Sequence, residues 1–120
     1  MSALLPTAIV KQWQYVSAAD VTDTDADEAV AAKSGHRHCV VAVQVANSDT
    51  TPGTYVHILS GSTVIWTGFV SNYVVAAPGS SFIEATFPSP LIGGVGEAIN
   101  VKVETASQIR FNLQGFTTIG

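Results

Sequence analysis

The stretch His36-Arg-His-Cys-Val-Val-Ala-Val-Gln-Val-Ala-Asn47 decides the fold. Read as a strand, it sets Cys39, Val41, Val43 and Val45 on one face and His36, His38, Ala42 and Gln44 on the other. Alternation of this kind belongs to a half-buried β-strand, because successive side chains leave a pleated backbone on opposite sides. A helix would repeat its apolar residues roughly every three to four positions, a spacing nearly absent from this chain. The cluster Asn47-Ser-Asp-Thr-Thr-Pro-Gly53 then closes the strand with turn formers.

Outward from that strand the same pattern recurs, rich in Val, Ile and Thr, whose branched side chains suit a pleated surface. Toward the N-terminus, residues 7–17 place Ile9, Trp13 and Tyr15 on one face, interrupted by Lys11. An acidic loop over 20–28 follows, then a short apolar stretch, 29–32, ended by Lys33-Ser34-Gly35. Toward the C-terminus, 55–59 and 63–70 flank Ser60-Gly61-Ser62, which reads as a tight hairpin connection. Gly68 within the second of these predicts a bulge or a close backbone approach. Residues 71–77 continue as strand or loop, closed by Ala77-Pro78-Gly79-Ser80, and 81–87 form another strand. Residues 88–96, with two prolines and three glycines, are not expected to pair regularly. The last strands, 98–104 and 108–116, turn Ile99, Val101, Val103, Ile109, Phe111 and Leu113 inward.

Many short strands separated by turn signals define a sandwich or barrel. The longer connections after Ala19, Asn47 and Phe87 favour Greek-key crossings over a meander. The expected fold is all-β, a single-domain antiparallel β-sandwich, as an eight-stranded jelly roll. Within this one domain, 1–19 form an N-terminal arm and first strand, 20–35 the acidic loop and a short strand, and 36–120 the remainder.

Composition narrows the function. The 120 residues suit one domain, are 47% hydrophobic and only 12% charged, about half the ~25% usual in soluble domains. Disordered chains show the opposite balance. The net charge is −4, and the five basic residues, Lys11, Lys33, Arg37, Lys102 and Arg110, are spread thinly. Nucleic-acid binders gather such residues on one face, so no nucleic-acid partner is expected. Cys39 is the one cysteine, which rules out an intrachain disulfide and a cysteine-rich zinc site. Its apolar neighbours mark it as a small buried hydrophobe. The longest apolar runs, 40–43 and 74–77, fall far short of the roughly 18–20 residues a membrane helix needs. The N-terminus MSALLPTAIVKQW lacks the basic leader, apolar core and cleavage site of a signal peptide.

Few residues assemble into recognisable chemistry. Asp23, Asp25 and Asp27 alternate like the start of a calcium loop, where hard oxygen ligands converge. Glu28 stands where that loop needs its turning glycine and Ser34 where it needs its closing glutamate, so a solvated surface loop is the better reading. His36 and His38, at i and i+2, could chelate zinc or nickel with His57. No carboxylate or cysteine shares their face, which favours an intersubunit or surface role. No nucleophile elbow, phosphate loop or zinc-protease helix is present, and Glu84, Glu97 and Glu104 stand apart. The chain therefore reads as neither an enzyme nor the holder of a cofactor. Trp66, Tyr55, Tyr73, Phe69, Phe82, Phe87 and Phe116 could stack on sugars, but most read as core or subunit interface.

At TVIWTGFV, residues 63–70, the chain resembles a family of small tailed-bacteriophage virion proteins, whose members carry a strand reading ATVIWRG. In that family a (V/I)xxIQVxNSS strand precedes it, and FPxPLxGTxNTALNV and VRVNAQGY segments follow. The counterparts here are VVAVQVANSD (40–49), FPSPLIGGVGEAINVKV (87–103) and IRFNLQGF (109–116). Order and spacing agree over residues 36–117. Gly94-Val95-Gly96 replaces the family's Thr- and Asn-containing turn, and Phe116 replaces its tyrosine.

The resemblance implies a structural virion protein on a β-sandwich, stationed on the capsid as decoration or cement, or on tail fibres, where it would bind host glycans. A 120-residue chain with its own Met1 and no coiled-coil or β-helical shaft suits an independent subunit on a shell. Its low charge suits contact with copies of itself and with that shell, where unpaired buried charge would be costly. A homotrimer at threefold positions, bridging subunits of the phage major capsid protein, is the resulting expectation. It would be made in the host cytoplasm and sit on the virion, with no membrane partner. The expected contacts are the apolar segment with Met1, Leu4, Leu5 and Pro6, the loop residues Asp23, Asp25 and Asp27, then His36, His38 and Trp66.

Overall fold

A computed structural model describes residues 9–17, 21–77 and 79–120. The expected contacts Met1, Leu4, Leu5 and Pro6 lie outside the described residues, as do Asp20 and Pro78. Eight strands run in the order β1 (Ile9–Val16), β2 (Asp27–Val30), β3 (His36–Asn47), β4 (Thr54–Ser60), β5 (Thr63–Val70), β6 (Phe82–Ile92), β7 (Ile99–Val103) and β8 (Ile109–Ile119). They form two four-stranded sheets, β1-β8-β3-β6 and β2-β7-β4-β5, in which every named pairing is antiparallel. Only the β4–β5 hairpin stays within one sheet; every other connection between consecutive strands changes sheet. That order is the jelly roll expected from the strand pattern, two Greek keys closed face to face.

The hairpin turns on Gly61-Ser62, with Ser60 opposite Thr63. Gly61 has φ of 59°, which only glycine adopts at no steric cost, while Ser62 keeps negative φ. A positive φ at the first turn residue alone is the pattern of the II′ turn, whose twist matches its strands.

The core comes from the four central strands. Val40, Val43 and Val45 of β3, Ile109, Phe111 and Leu113 of β8, Val56 and Ile58 of β4, and Ile99, Val101 and Val103 of β7 are all buried. The inward sets expected for the last two strands hold in full. Each such side chain contributes about 1.5–3 kcal/mol on burial, which is what holds the two sheets together without a disulfide. Both flanks are closed by indoles. Trp66 meets Phe87 edge-on at 6.1 Å between β5 and β6. Trp13 lies over Gly115, where a Cβ would collide with the indole ring and with the Cys39 carbonyl oxygen. Gly68 is likewise a close approach, since a Cβ there would strike the Trp66 ring and Ile83.

Three expectations need correction. The alternation in β3 is broken by a bulge: Val40 pairs with Gly115 but Ala42 with Gln114, leaving Val41 as an extra residue. Upstream of it every side chain changes face, so His38 and Val40 point into the core. Cys39 points outward beside Phe116 and Ile92. Second, Asp27 and Glu28 belong to β2 instead of the acidic loop, paired with Val101 and Asn100. Third, β6 runs on through Pro88 and Pro90 to Ile92. Thr86 opposes Ala42 and Leu91 opposes Val40, so the proline stretch bows out of the ladder between them. An edge strand tolerates this because its outer side has no partner awaiting an N–H. Residues 71–77, expected as strand or loop, form no strand.

Candidate interaction surface

The outer face of the β1-β8-β3-β6 sheet carries a hydrogen-bonded ladder that crosses all four strands. Gln14 of β1 donates from Nε2 to Asn112 Oδ1 at 3.0 Å, and Gln114 of β8 donates to the same oxygen at 2.8 Å. Asn112 donates in turn to Gln44 Oε1 of β3 at 3.1 Å, and Gln44 donates to Glu84 Oε2 of β6 at 2.8 Å. Asn112 and Gln44 both give and accept, Gln14 and Gln114 only donate, and the chain ends on a carboxylate, the acceptor that polarises such a series best. Gln12-Trp-Gln14 and Asn112-Leu-Gln114 show in sequence that these amides face away from the core. That they meet depends on strand register, which sequence reading does not reach.

Apolar hollows flank the ladder. Toward one end, Cys39, Pro90, Ile92 and Phe116 line a hollow of about 360 Å³, rimmed by Arg37, and Ile92 is 61% exposed. Toward the other, Val16, Ala46 and Phe82 line one of about 150 Å³, with Arg110 in its wall. Burial pushes the Cys39 thiol pKa up, against the opposing pull of Arg37 and the Gly93 N–H, so it stays an uncharged part of this surface.

A second cleft, of about 340 Å³, opens on the flank where β1 and β2 are the edge strands. Trp13, Val30, Ala31 and Ala32 form its floor, and Lys11 and Lys33 stand on its rim. His38 helps wall it and is 3% exposed. Its Nε2 lies 2.8 Å from the Ala31 carbonyl and its Nδ1 2.7 Å from Thr117 Oγ1. A carbonyl only accepts, so Nε2 carries a proton, and in the neutral ring Nδ1 accepts from the Thr117 hydroxyl. His38 thereby ties the exit of β2 to β3 and β8.

The three histidines do not converge. His36 Nδ1 donates to the Ser34 carbonyl at 2.7 Å. His57 lies on the outer face of the other sheet, 2.8 Å from Thr67 Oγ1 and 3.6 Å from Glu104. Among the described residues no group of three metal-ligating side chains comes together. Asp23 and Asp25 are exposed, and Asp23 Oδ1 accepts the Asp25 backbone N–H at 3.0 Å. Asp27 is half-buried, and its carboxyl pKa is raised, by burial first and then by the Asp23 and Asp25 carboxylates. The aromatic residues are likewise dispersed. Trp66 and Phe87 pack at one flank, Phe116 and Phe82 lie on the ladder face, and Tyr55 and Phe69 meet at 5.1 Å on the opposite outer face.

No family model matches the chain, and no curated protein sequence does. Among solved structures, an insecticidal delta-endotoxin of Bacillus thuringiensis is similar over 81% of this chain at 10% identity, with a TM-score of 0.46. The chain spans only 18% of that toxin's length. The virus-like particle of extra small virus from the giant freshwater prawn Macrobrachium rosenbergii is similar over 98% of this chain and 85% of its own. Its identity is 9% and its TM-score 0.39. At that level neither likeness carries functional information.

Proposed function

We propose that this chain is a structural virion protein of the capsid decoration or cement type. It binds the outer surface of a tailed-phage head as a homotrimer and stabilises the head by bridging major capsid subunits. The observation that carries this reading is the outer face of the β1-β8-β3-β6 sheet. An amide ladder ending on one carboxylate, set between two largely apolar hollows each edged by one arginine, Arg37 and Arg110, is a surface that can be covered at modest desolvation cost. The resemblance to phage virion proteins supplies the partner. Its four segments fall on β3, on β5, on β6 through β7, and on β8, which are framework strands. Stabilisation follows from added contact area across subunit boundaries and needs no chemical step.

A tail-fibre module binding host glycans is the second reading, and the exposed Tyr55–Phe69 pair favours it. The ring planes stand 67° apart, so the pair offers a single stacking face where a flat sugar platform would need two coplanar rings. Heating heads with and without the purified protein separates the readings. The decoration reading expects genome release at a higher temperature when the protein is bound, and an unchanged release temperature contradicts it.

A further inference from the structure

The β1/β2 flank carries two features of opposite charge at opposite ends. At one end the exposed Asp23 and Asp25 side chains follow Val21, which is bridged to Ile109 at the start of β8. At the other, Lys11, opposite Thr117 near the end of β8, and Lys33 rim the cleft floored by Trp13, Val30 and Ala31. Neither lysine has an ion-pair or hydrogen-bond partner among the described residues. Ile109 and Thr117 are joined by extended chain, at ~3.3 Å per residue roughly 26 Å. Among the described residues neither Asp23 nor Asp25 pairs with either lysine within the chain.

We propose that the cleft between β1 and β2 receives the acidic loop of a second copy of this chain, Asp23 and Asp25 pairing with Lys11 and Lys33 over the apolar floor. The inference rests on the reading of the protein as a self-assembling virion subunit and names the contact that joins its copies. Beyond the effect of burial, which comes first, the Asp23 and Asp25 carboxylates add like-charge repulsion at Asp27, and a neighbour's lysines relieve that part. Two complementary patches at different places on one surface make a head-to-tail contact, which closes into a ring when the rotation allows. Exposed ion pairs add little energy singly, so the charges set partner and register while the floor supplies buried area.

Sedimentation of the full chain tests this. Lys11→Glu with Lys33→Glu, and separately Asp23→Lys with Asp25→Lys, should each weaken self-association by about tenfold or more. The chain carrying all four reversals should recover it, because loop and cleft are complementary again. Raising salt from 0.1 to 1 M should mimic the double variants, since the screening length falls from about 10 to about 3 Å. Association unmoved by the double reversals, no recovery in the quadruple variant, or a monomer at every concentration overturns the proposal. Binding of the same variants to emptied heads is read separately. A chain that binds heads without self-associating overturns the contact alone, and one that self-associates without binding heads overturns the virion reading alone.

Discussion

Gln44 donates to the Glu84 carboxylate at 2.8 Å while its own carbonyl oxygen accepts from Asn112, which makes it the central link between β8 and the edge strand β6. Few charges lie on this face, and the polar groups there are largely engaged with one another. That arrangement gives the 12% charge content a structural meaning. A surface of mutually bonded amides gives up fewer water contacts on being covered than one studded with lysine and glutamate.

Asn112→Ala separates stability from function. The ladder is solvent-accessible, so Gln14, Gln44 and Gln114 turn to water and the chain loses no more than about 1 kcal/mol of stability. If this face is the one that meets a shell, affinity for emptied heads, measured by titration, should drop by about tenfold or more, because the face loses its order.

Gly115→Ala strikes the fold. Its Cβ would meet the Cys39 carbonyl oxygen and the Trp13 ring, one of which is backbone and cannot rotate away. A loss of at least about 2 kcal/mol is expected, read as a lower midpoint in urea unfolding.

Thr117→Val removes the hydroxyl that faces His38 Nδ1 and leaves a buried ring nitrogen without a partner. The expected cost is about 1–3 kcal/mol. His38→Phe in the same background should recover part of it, since no polar ring atom is then left unmatched.

Asp27→Asn gives a pH-dependent gain. The folded state raises the Asp27 pKa, so folding favours its protonated form and stability falls as pH rises from the ordinary carboxylate value through the raised one. The amide removes that penalty. The variant should be more stable than the parent at pH 7, by no more than about 0.5 kcal/mol given solvent screening, and equal to it below about pH 3. Thermal unfolding across pH measures the difference.

Much of the fold was legible because β7 and β8 alternate without interruption, and parity alone assigns Ile99, Val101, Val103, Ile109, Phe111 and Leu113 to the core. In β6 the same parity sets Ile83 and Ala85 against the core and Glu84 outward with Phe82 and Thr86. β3 misled because its bulge at Val41 has no compositional marker: no glycine, no proline, only one valine among four. One unpaired residue there reversed the facing of His38 and Cys39 and moved a histidine expected at the surface into the interior. The prolines of β6 misled in the other direction, because an edge strand bows around them and continues. The amide ladder was hidden for a different reason. Gln14, Gln44, Glu84 and Asn112 come from four separate segments, and only the registers of three strand pairings bring them into one row.

Sedimentation of the purified chain with emptied tailed-phage heads is the sharpest test of the proposed decoration role. The protein is expected to pellet with the heads, saturate at a fixed ratio to the major capsid protein, and be competed off only by itself. A chain that stays in the supernatant at all concentrations, while the heads pellet, would contradict it.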